Sequence, residues 1–272
     1  MANIQFLDGG MIYELNKKYK DYGDYAVKND KEFVCSIYEG YVNSGCKYIT
    51  TSNYCFIPSK INDWELCTKE AINITNLFRA KNIKILGCIP PYFGSYKNDE
   101  KITSDFSIFY EKLINIMKNQ VDYYLIETSC SFDYTNEIIN IIKKIDDKTP
   151  IYVSLYPNED SKLNSDNYLK EDIDGLFLNC CSFTEVVTFY DNYIKNKLND
   201  KTFGFYCNNI NEKKYKVQGK IGELEEYFVC KNINKSDLQL FLSKNNFNTV
   251  FIGGCCGYGI KEMKDLIPSL EI

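Results

Sequence analysis

The chain has 272 residues, with 32 lysines and arginines against 37 aspartates and glutamates, a net charge of −5 and no histidine. That length fits one α/β barrel with a large core. The acidic balance gives a nucleic-acid partner no electrostatic support, and no apolar run reaches the ~18 residues that a membrane span needs.

Strand-like and helix-like stretches alternate along the chain. NIQFLD (3–8) opens the series, and a helical pattern follows at 31–45. KYITTS (47–52) precedes a helix at 64–82, IKILGC (83–88) one at 106–120, and DYYLIET (122–128) one at 136–145. PIYVSLY (150–156) is followed by only weak helical signal before GLFLNC (175–180). A helix at 182–198, TFGFYC (202–207), a helix at 236–246, NTVFIGG (248–254) and a helix at 260–270 complete the order. The strand runs are short, apolar and rich in Ile, Val, Phe and Tyr. Eight strands alternating with helices predict a (β/α)8 TIM barrel, a single domain over 1–272. The rival is an open doubly wound sheet. That fold carries a glycine-rich phosphate loop after its first strand, and DGGMIYEL is not G-x-G-x-x-G.

Barrel chemistry collects at the C-terminal ends of the strands. Asp8-Gly9-Gly10 closes strand one, Thr50-Thr51 strand two and Glu127-Thr128 strand four. Asn179-Cys180-Cys181 closes strand six, and Gly253-Gly254-Cys255-Cys256 closes strand eight. Without histidine, the commonest general base and the commonest nitrogen ligand of zinc are missing, so metal chemistry falls to sulfur or oxygen. Cys255, Cys256 and one of the strand-six cysteines would bring three sulfurs to one mouth, the donor set of a catalytic zinc with an open position. Adjacent residues point to opposite faces of a strand, so sharing a metal requires a turn, which Gly253, Gly254 and Gly257 permit. Buried packing thiols, or a strained vicinal disulfide with a redox role, are the alternatives these residues leave open. Cys35, Cys46, Cys67 and Cys230 sit in apolar runs and read as small buried hydrophobes. MANIQFLDGG has neither the basic nor the apolar region of a signal peptide, so the expected location is cytoplasmic and the thiols reduced.

Seven segments carry a resemblance: LDGGMIYEL (7–15), GCKYITTSNY (45–54), GCIPPYFGSY (87–96), VDYYLIET (121–128), LNC (178–180), YCN (206–208) and GGCCG (253–257). In order and spacing, over nearly the whole chain, they resemble the homocysteine S-methyltransferase family. The resemblance implies zinc held by Cys180, Cys255 and Cys256, with Cys181 left to packing. It implies homocysteine contacted by Asp8 and Glu127, and Gly9, Thr128 and Tyr54 complete the expected substrate site. The implied reaction moves a methyl group from a sulfonium or quaternary-ammonium donor, S-methylmethionine-like, to the homocysteine thiolate, giving methionine. The partners are then small molecules, homocysteine and a methyl donor, with neither nucleic acid nor membrane.

The chain also departs from the family pattern. Tyr38 stands where members often carry a histidine, and Tyr22 and Tyr25 are nearest to a missing tryptophan–serine pair. Cys207 replaces the proline of Y-P-N, while Ile260 and Glu262 replace a proline and a histidine after GGCCG. These departures bear on the methyl donor more than on the thiols. Tyr54 and Tyr92 are the aromatic faces expected near the donor cation, and Ser154 and Tyr206 also lie at strand ends. A thiol-rich metal-binding or redox-sensing barrel without methyl transfer is the alternative function. Asp8 and Glu127 discriminate, since a sensor needs no amino-acid pocket. Selenohomocysteine or another small thiol fits the same residues as acceptor.

Overall fold

The computed structural model describes residues 3–97, 100–157, 173–196, 198, 200–209 and 233–270. Eight parallel strands form one sheet: β1 (Asn3–Phe6), β2 (Tyr48–Thr50), β3 (Lys84–Ile89), β4 (Tyr123–Ser129), β5 (Ile151–Leu155), β6 (Gly175–Asn179), β7 (Thr202–Cys207) and β8 (Thr249–Gly254). Their order, β1-β8-β7-β6-β5-β4-β3-β2, follows the chain around a ring. The seam between β1 and β2 is closed by a single bridge, Leu7 to Tyr48. Two backbone bonds reinforce it, Lys47 N–H to the Phe6 carbonyl at 3.0 Å and Asp8 N–H to the Tyr48 carbonyl at 3.0 Å. Asp8 is thereby anchored at the mouth by the closure itself. The expected single-domain (β/α)8 barrel is what the chain forms.

The helices lie between the strands. They are α1 (Met11–Leu15), α2 (Asp24–Asn29), α3 (Lys31–Asn43), α4 (Trp64–Asn76), α5 (Ser104–Met117), α6 (Phe132–Ile145), α7 (Phe183–Phe189), α8 (Lys235–Lys244) and α9 (Ile260–Leu266). Several of their starts carry oxygen caps that satisfy otherwise orphaned N–H groups. Thr103 caps α5, Ser131 caps α6 and Asn234 caps α8, while Ser182 and Glu185 form a reciprocal capping box on α7. In α6, Ile138, Ile139, Ile141 and Ile142 recur at helical spacing and bury against the barrel. The weak helical signal between β5 and β6, and Cys230, lie outside the described residues. Among the described residues, no helix is long and apolar enough to cross a membrane.

The barrel is filled, not hollow. Leu7, Leu86, Leu125, Tyr152, Phe177, Tyr206 and Phe251 form one cluster inside the ring. The Phe177 ring centre lies 5.0 Å from that of Tyr152 and 5.4 Å from that of Phe251. Such packing closes the interior beneath the mouth and leaves the strand ends as the reactive face. A separate, larger apolar layer joins the outside of the sheet to the helices.

Candidate metal centre and substrate site

Three sulfurs meet at the mouth. Cys180 follows β6 directly, and Cys255 and Cys256 follow β8. Their Sγ atoms all lie within 4.8 Å of one another, the one group of three or more potential ligands among the described residues. A turn brings the adjacent pair round, as the alternation of side chains requires. Tyr258 N–H closes it on the Cys255 carbonyl at 3.0 Å. Gly257 sits at its third position with φ +80°, the left-handed conformation that a type II turn reserves for glycine. Asn208 steadies the same turn by accepting the Cys256 N–H at 3.2 Å. From the β6 side, Cys180 also adopts a left-handed backbone, φ +56°. Non-glycine residues there carry strain and cluster at functional sites.

The donor set fits zinc. Sulfurs in tetrahedral geometry at ~2.3 Å from zinc stand about 3.8 Å apart, inside the observed spread. The Cys180 and Cys255 sulfurs are 2.8 Å apart, so sharing an ion requires them to separate by about 1 Å. Contacts with Cys180 and Cys256, together with burial, push the Cys255 thiol well above its ordinary value. Cys181 lies in the apolar core, 2 % exposed, as a packing residue.

A polar network backs the sulfurs. Asn179, fully buried, donates from Nδ2 to Cys180 Sγ at 3.4 Å and to Thr128 Oγ1 at 2.9 Å. Its amide oxygen accepts from the Ser154 hydroxyl at 2.8 Å. Tyr54 donates to Thr128 Oγ1 at 3.1 Å and contacts Ser95 Oγ at 2.7 Å. Thr128 is reached by a defect in the sheet: the β4–β5 register shifts between Ile126 and Ser129, and Thr128 has φ +53°. A bulge of this kind re-aims side chains at a barrel rim.

Two carboxyls flank the cluster. Asp8, 5 % exposed, accepts Thr50 N–H at 2.8 Å and Thr50 Oγ1–H at 3.2 Å. Burial pushes its carboxyl up to about 8, the Thr50 hydrogen bonds oppose this, and the nearby Glu127 adds to it. Burial likewise pushes the partly buried Glu127 up to about 7, against hydrogen bonds from Cys88 and Tyr206. The Tyr206 hydroxyl donates to Glu127 Oε2 at 3.3 Å. In both groups burial favours the uncharged acid over the carboxylate.

The two glycines after Asp8 lock this loop onto the cysteine turn. Gly10 N–H donates to the Tyr258 carbonyl at 2.8 Å. A Cβ on Gly9 would stand 2.4 Å from that carbonyl oxygen, and one on Gly10 would stand 2.5 Å from the Cys255 oxygen. Glu14 completes the lock by accepting Ile260 N–H at 2.9 Å, at the start of α9.

The sequence segments therefore meet as one site, although their members take different roles. Glu127 neighbours Cys256, and Asp8 neighbours Glu127 and accepts Gly254 N–H through its backbone. Asn179 links Thr128 to Cys180, and Tyr54 bonds Thr128, while Gly9 serves the close approach of two loops. Ser154 and Tyr206 join the polar network. Tyr38 is fully buried and donates to the Thr50 carbonyl at 2.7 Å. Tyr92 packs in an aromatic group with Phe93, Phe106 and Phe109. The Tyr22 ring already carries a cation, with Lys60 Nζ 5.0 Å from its centre, and Tyr25 is exposed. From sequence, Thr50 and Asn179 are named only as strand-end residues and Ser95 and Asn208 only as members of matched segments, none with a role. Their one signal is position, since each lies within two residues of a matched motif residue or inside a motif.

A family model described as homocysteine S-methyltransferase matches residues 5–268. No curated protein matches the chain. Among solved structures, the chain resembles the metallated form of the homocysteine methyltransferase MmuM from Escherichia coli with TM-score 0.75 and 15 % identity, covering 97 % of this chain and 95 % of that one. The oxidized form of the same Escherichia coli protein gives TM-score 0.72 at 16 % identity, covering 97 % and 95 %. Its apo form gives 0.70 at 13 %, covering 98 % and 96 %. At such identities the structural likeness speaks for the fold. The sequence match runs from β1 into the last helical turn, across the strand-end residues described above, and on it the chain belongs to the homocysteine S-methyltransferase family.

Proposed function

We propose that this barrel catalyses zinc-dependent methyl transfer from a sulfonium or quaternary-ammonium donor, S-methylmethionine-like, to homocysteine, producing methionine. The observation that carries the reading is the convergence of Cys180, Cys255 and Cys256 within 4.8 Å at the strand ends. These three residues would hold zinc as thiolates. Zinc, when bound, would supply the Lewis acidity that keeps an incoming thiol deprotonated near neutral pH. A histidine base is then unnecessary, which suits a chain that has none.

The chain's own residues supply the remaining steps. Asp8 and Glu127 take the α-ammonium group of the amino acid, and its arrival draws both carboxyls to their ionised forms with loss of protons. Thr128 and Tyr54 border the reacting sulfur on the β4 side. Three thiolates leave a net negative charge that attracts a cationic donor, so opposite charges cancel as the methyl group moves. A closed, filled barrel floor favours such a step because less charge must be kept out of water. Alignment of donor and acceptor supplies the entropic part of the acceleration.

The test is a donor panel. Zinc-loaded protein is given homocysteine with S-methylmethionine, S-adenosylmethionine, betaine or dimethylsulfoniopropionate, and methionine is measured. Methionine from one donor, lost on chelation and regained with zinc, supports the reading. Stoichiometric zinc without methionine from any donor refutes it and leaves the metal-binding or redox alternative. That alternative is favoured by one observation, the 2.8 Å contact between the Cys180 and Cys255 sulfurs.

A further inference from the structure

Aromatic faces attract a cation that has left water, and several tyrosines expected to offer one are engaged elsewhere. Tyr92 packs among Phe93, Phe106 and Phe109. Tyr22 carries Lys60, and Tyr25 is exposed. Two other tyrosines meet at the thiols. Tyr96 lies in the loop after β3, and Tyr156 is the first residue after β5. Both are half-buried. Their ring centres are 4.4 Å apart and their planes meet at 55°, so they present two faces at an angle and not a closed stack. The Tyr96 side chain hydrogen-bonds the Cys180 sulfur. Its hydroxyl is its one polar side-chain atom, so this contact holds the ring centre within about 7 Å of that sulfur.

The backbone is bent to bring these rings together. Tyr96 has φ +66°, a conformation uncommon for a bulky residue. Its segment is tied down on both sides: Ser95 Oγ meets the Tyr54 hydroxyl at 2.7 Å, and the Tyr96 backbone N–H donates to the Cys130 sulfur. Tyr156 N–H donates to the Ser129 carbonyl at 3.0 Å. Both tyrosines thus hang from one pair of neighbours, Ser129 and Cys130, at the end of β4. Their reach suits a methyl donor. With the reacting atoms about 3–3.5 Å apart, the charged atom of an onium donor stands about 5 Å from the acceptor sulfur. A cation–π contact extends about 6 Å from a ring centre. A ring anchored on Cys180 therefore has the reach to face that charge.

We propose that Tyr96 and Tyr156 form the aromatic seat of the donor's onium centre beside Cys180, and that they select a charged methyl donor over a neutral molecule of the same shape. The proposal rests on the methyl-transfer reading above and adds to it the residues that choose the donor class. Tyr54 then acts as a positioning residue, through its contact with Ser95. A pair of rings that only packs would treat charged and neutral molecules alike.

The experiment compares zinc-loaded wild type, Tyr96→Phe and Tyr96→Leu. Ligand-observed NMR measures the binding of choline and of 3,3-dimethylbutan-1-ol, its uncharged isostere. Methionine formation gives KM for homocysteine and for the active donor of the panel. Wild type is expected to prefer choline by about fivefold or more. Phenylalanine keeps the face and loses the hydroxyl, so the preference and the donor KM stay within about twofold of wild type. Leucine removes the face: the preference falls about fivefold and the donor KM rises about 10-fold, while KM for homocysteine is unchanged. A general structural defect would move both KM values. If the leucine variant does not fold, Tyr156→Phe and Tyr156→Leu make the same comparison. Equal binding of the two probes to wild type, or an unaltered preference in the leucine variant, overturns the proposal. A loss as large with phenylalanine as with leucine assigns the effect to the hydroxyl and overturns it too. In each of these cases methionine formation by wild type leaves the methyl-transfer reading standing. No methionine from any donor overturns that reading, and the donor seat with it.

Discussion

Gly10→Ala adds one methyl group and removes no ligand. At φ −66° and ψ 95° the Gly10 backbone suits any residue, so alanine brings no conformational strain. The whole effect comes from contact. The new Cβ would lie 2.5 Å from the Cys255 carbonyl oxygen, where ordinary contact begins at 3.4 Å. The two loops must part by about 0.9 Å, and they are tied together by Gly10 N–H to Tyr258 and by Ile260 N–H to Glu14. The movement is therefore passed to Cys255. Metal–ligand distances tolerate only about 0.2 Å, so the sulfur cannot follow its backbone freely. Zinc affinity is expected to fall about 10- to 100-fold, and kcat/KM for methyl transfer about 100-fold, the scale set by a displacement near 1 Å at a reacting centre. Competition with a chromophoric chelator measures the first, and methionine formation the second. A Gly10→Ala protein with wild-type zinc affinity and rate would refute the claim that the DGG loop holds the cysteine turn in place.

Cys256→Ala is expected to abolish zinc retention and methyl transfer together, as read by metal analysis and methionine formation. Full activity of that variant without metal contradicts the ligand assignment. The Asp8 carboxyl rises from 3.8 in its ordinary state to about 8 in the fold. Its protonated form is thus favoured by folding, a stabilisation complete below about pH 4 and lost as pH rises through about 8. Between pH 5 and 7.5, urea unfolding of metal-free wild type is expected to lose about 3 kcal/mol relative to Asp8→Asn; parallel pH slopes in the two proteins would sink this. Phe177→Ala empties the barrel floor, where Phe177 is fully buried. It is expected to cost about 3–5 kcal/mol and lower Tm by roughly 6–15 °C, and an unchanged melting curve would mean the floor can collapse.

Much of this was legible in the sequence because the barrel's signals are local and periodic. Each strand run fell within two residues of an observed strand, and the long helices showed their buried stripes. The helices α1 and α2 escaped notice because they have only 5 and 6 residues, too few for a period to register. The thiol trio was legible because GGCCG places two thiols on a glycine turn in one motif. The polar wiring was not. Left-handed backbone at Thr128 and Cys180 and the slipped β4–β5 register arise from neighbouring strands, and neither residue type announces such a conformation. Asn179 looks from sequence like the residue before a cysteine. Only the fold shows it joining that cysteine to Thr128, 51 positions away in the chain. The Gly10–Tyr258 bond likewise joins the two ends of the chain, which sequence patterns cannot pair.

The account stands most directly on X-ray absorption at the zinc edge, with metal analysis, on purified protein with and without homocysteine. One zinc per chain, with three sulfur neighbours at ~2.3 Å that become four when homocysteine is added, is the predicted result. A protein that binds no zinc, or binds it through oxygen and nitrogen alone, would contradict it.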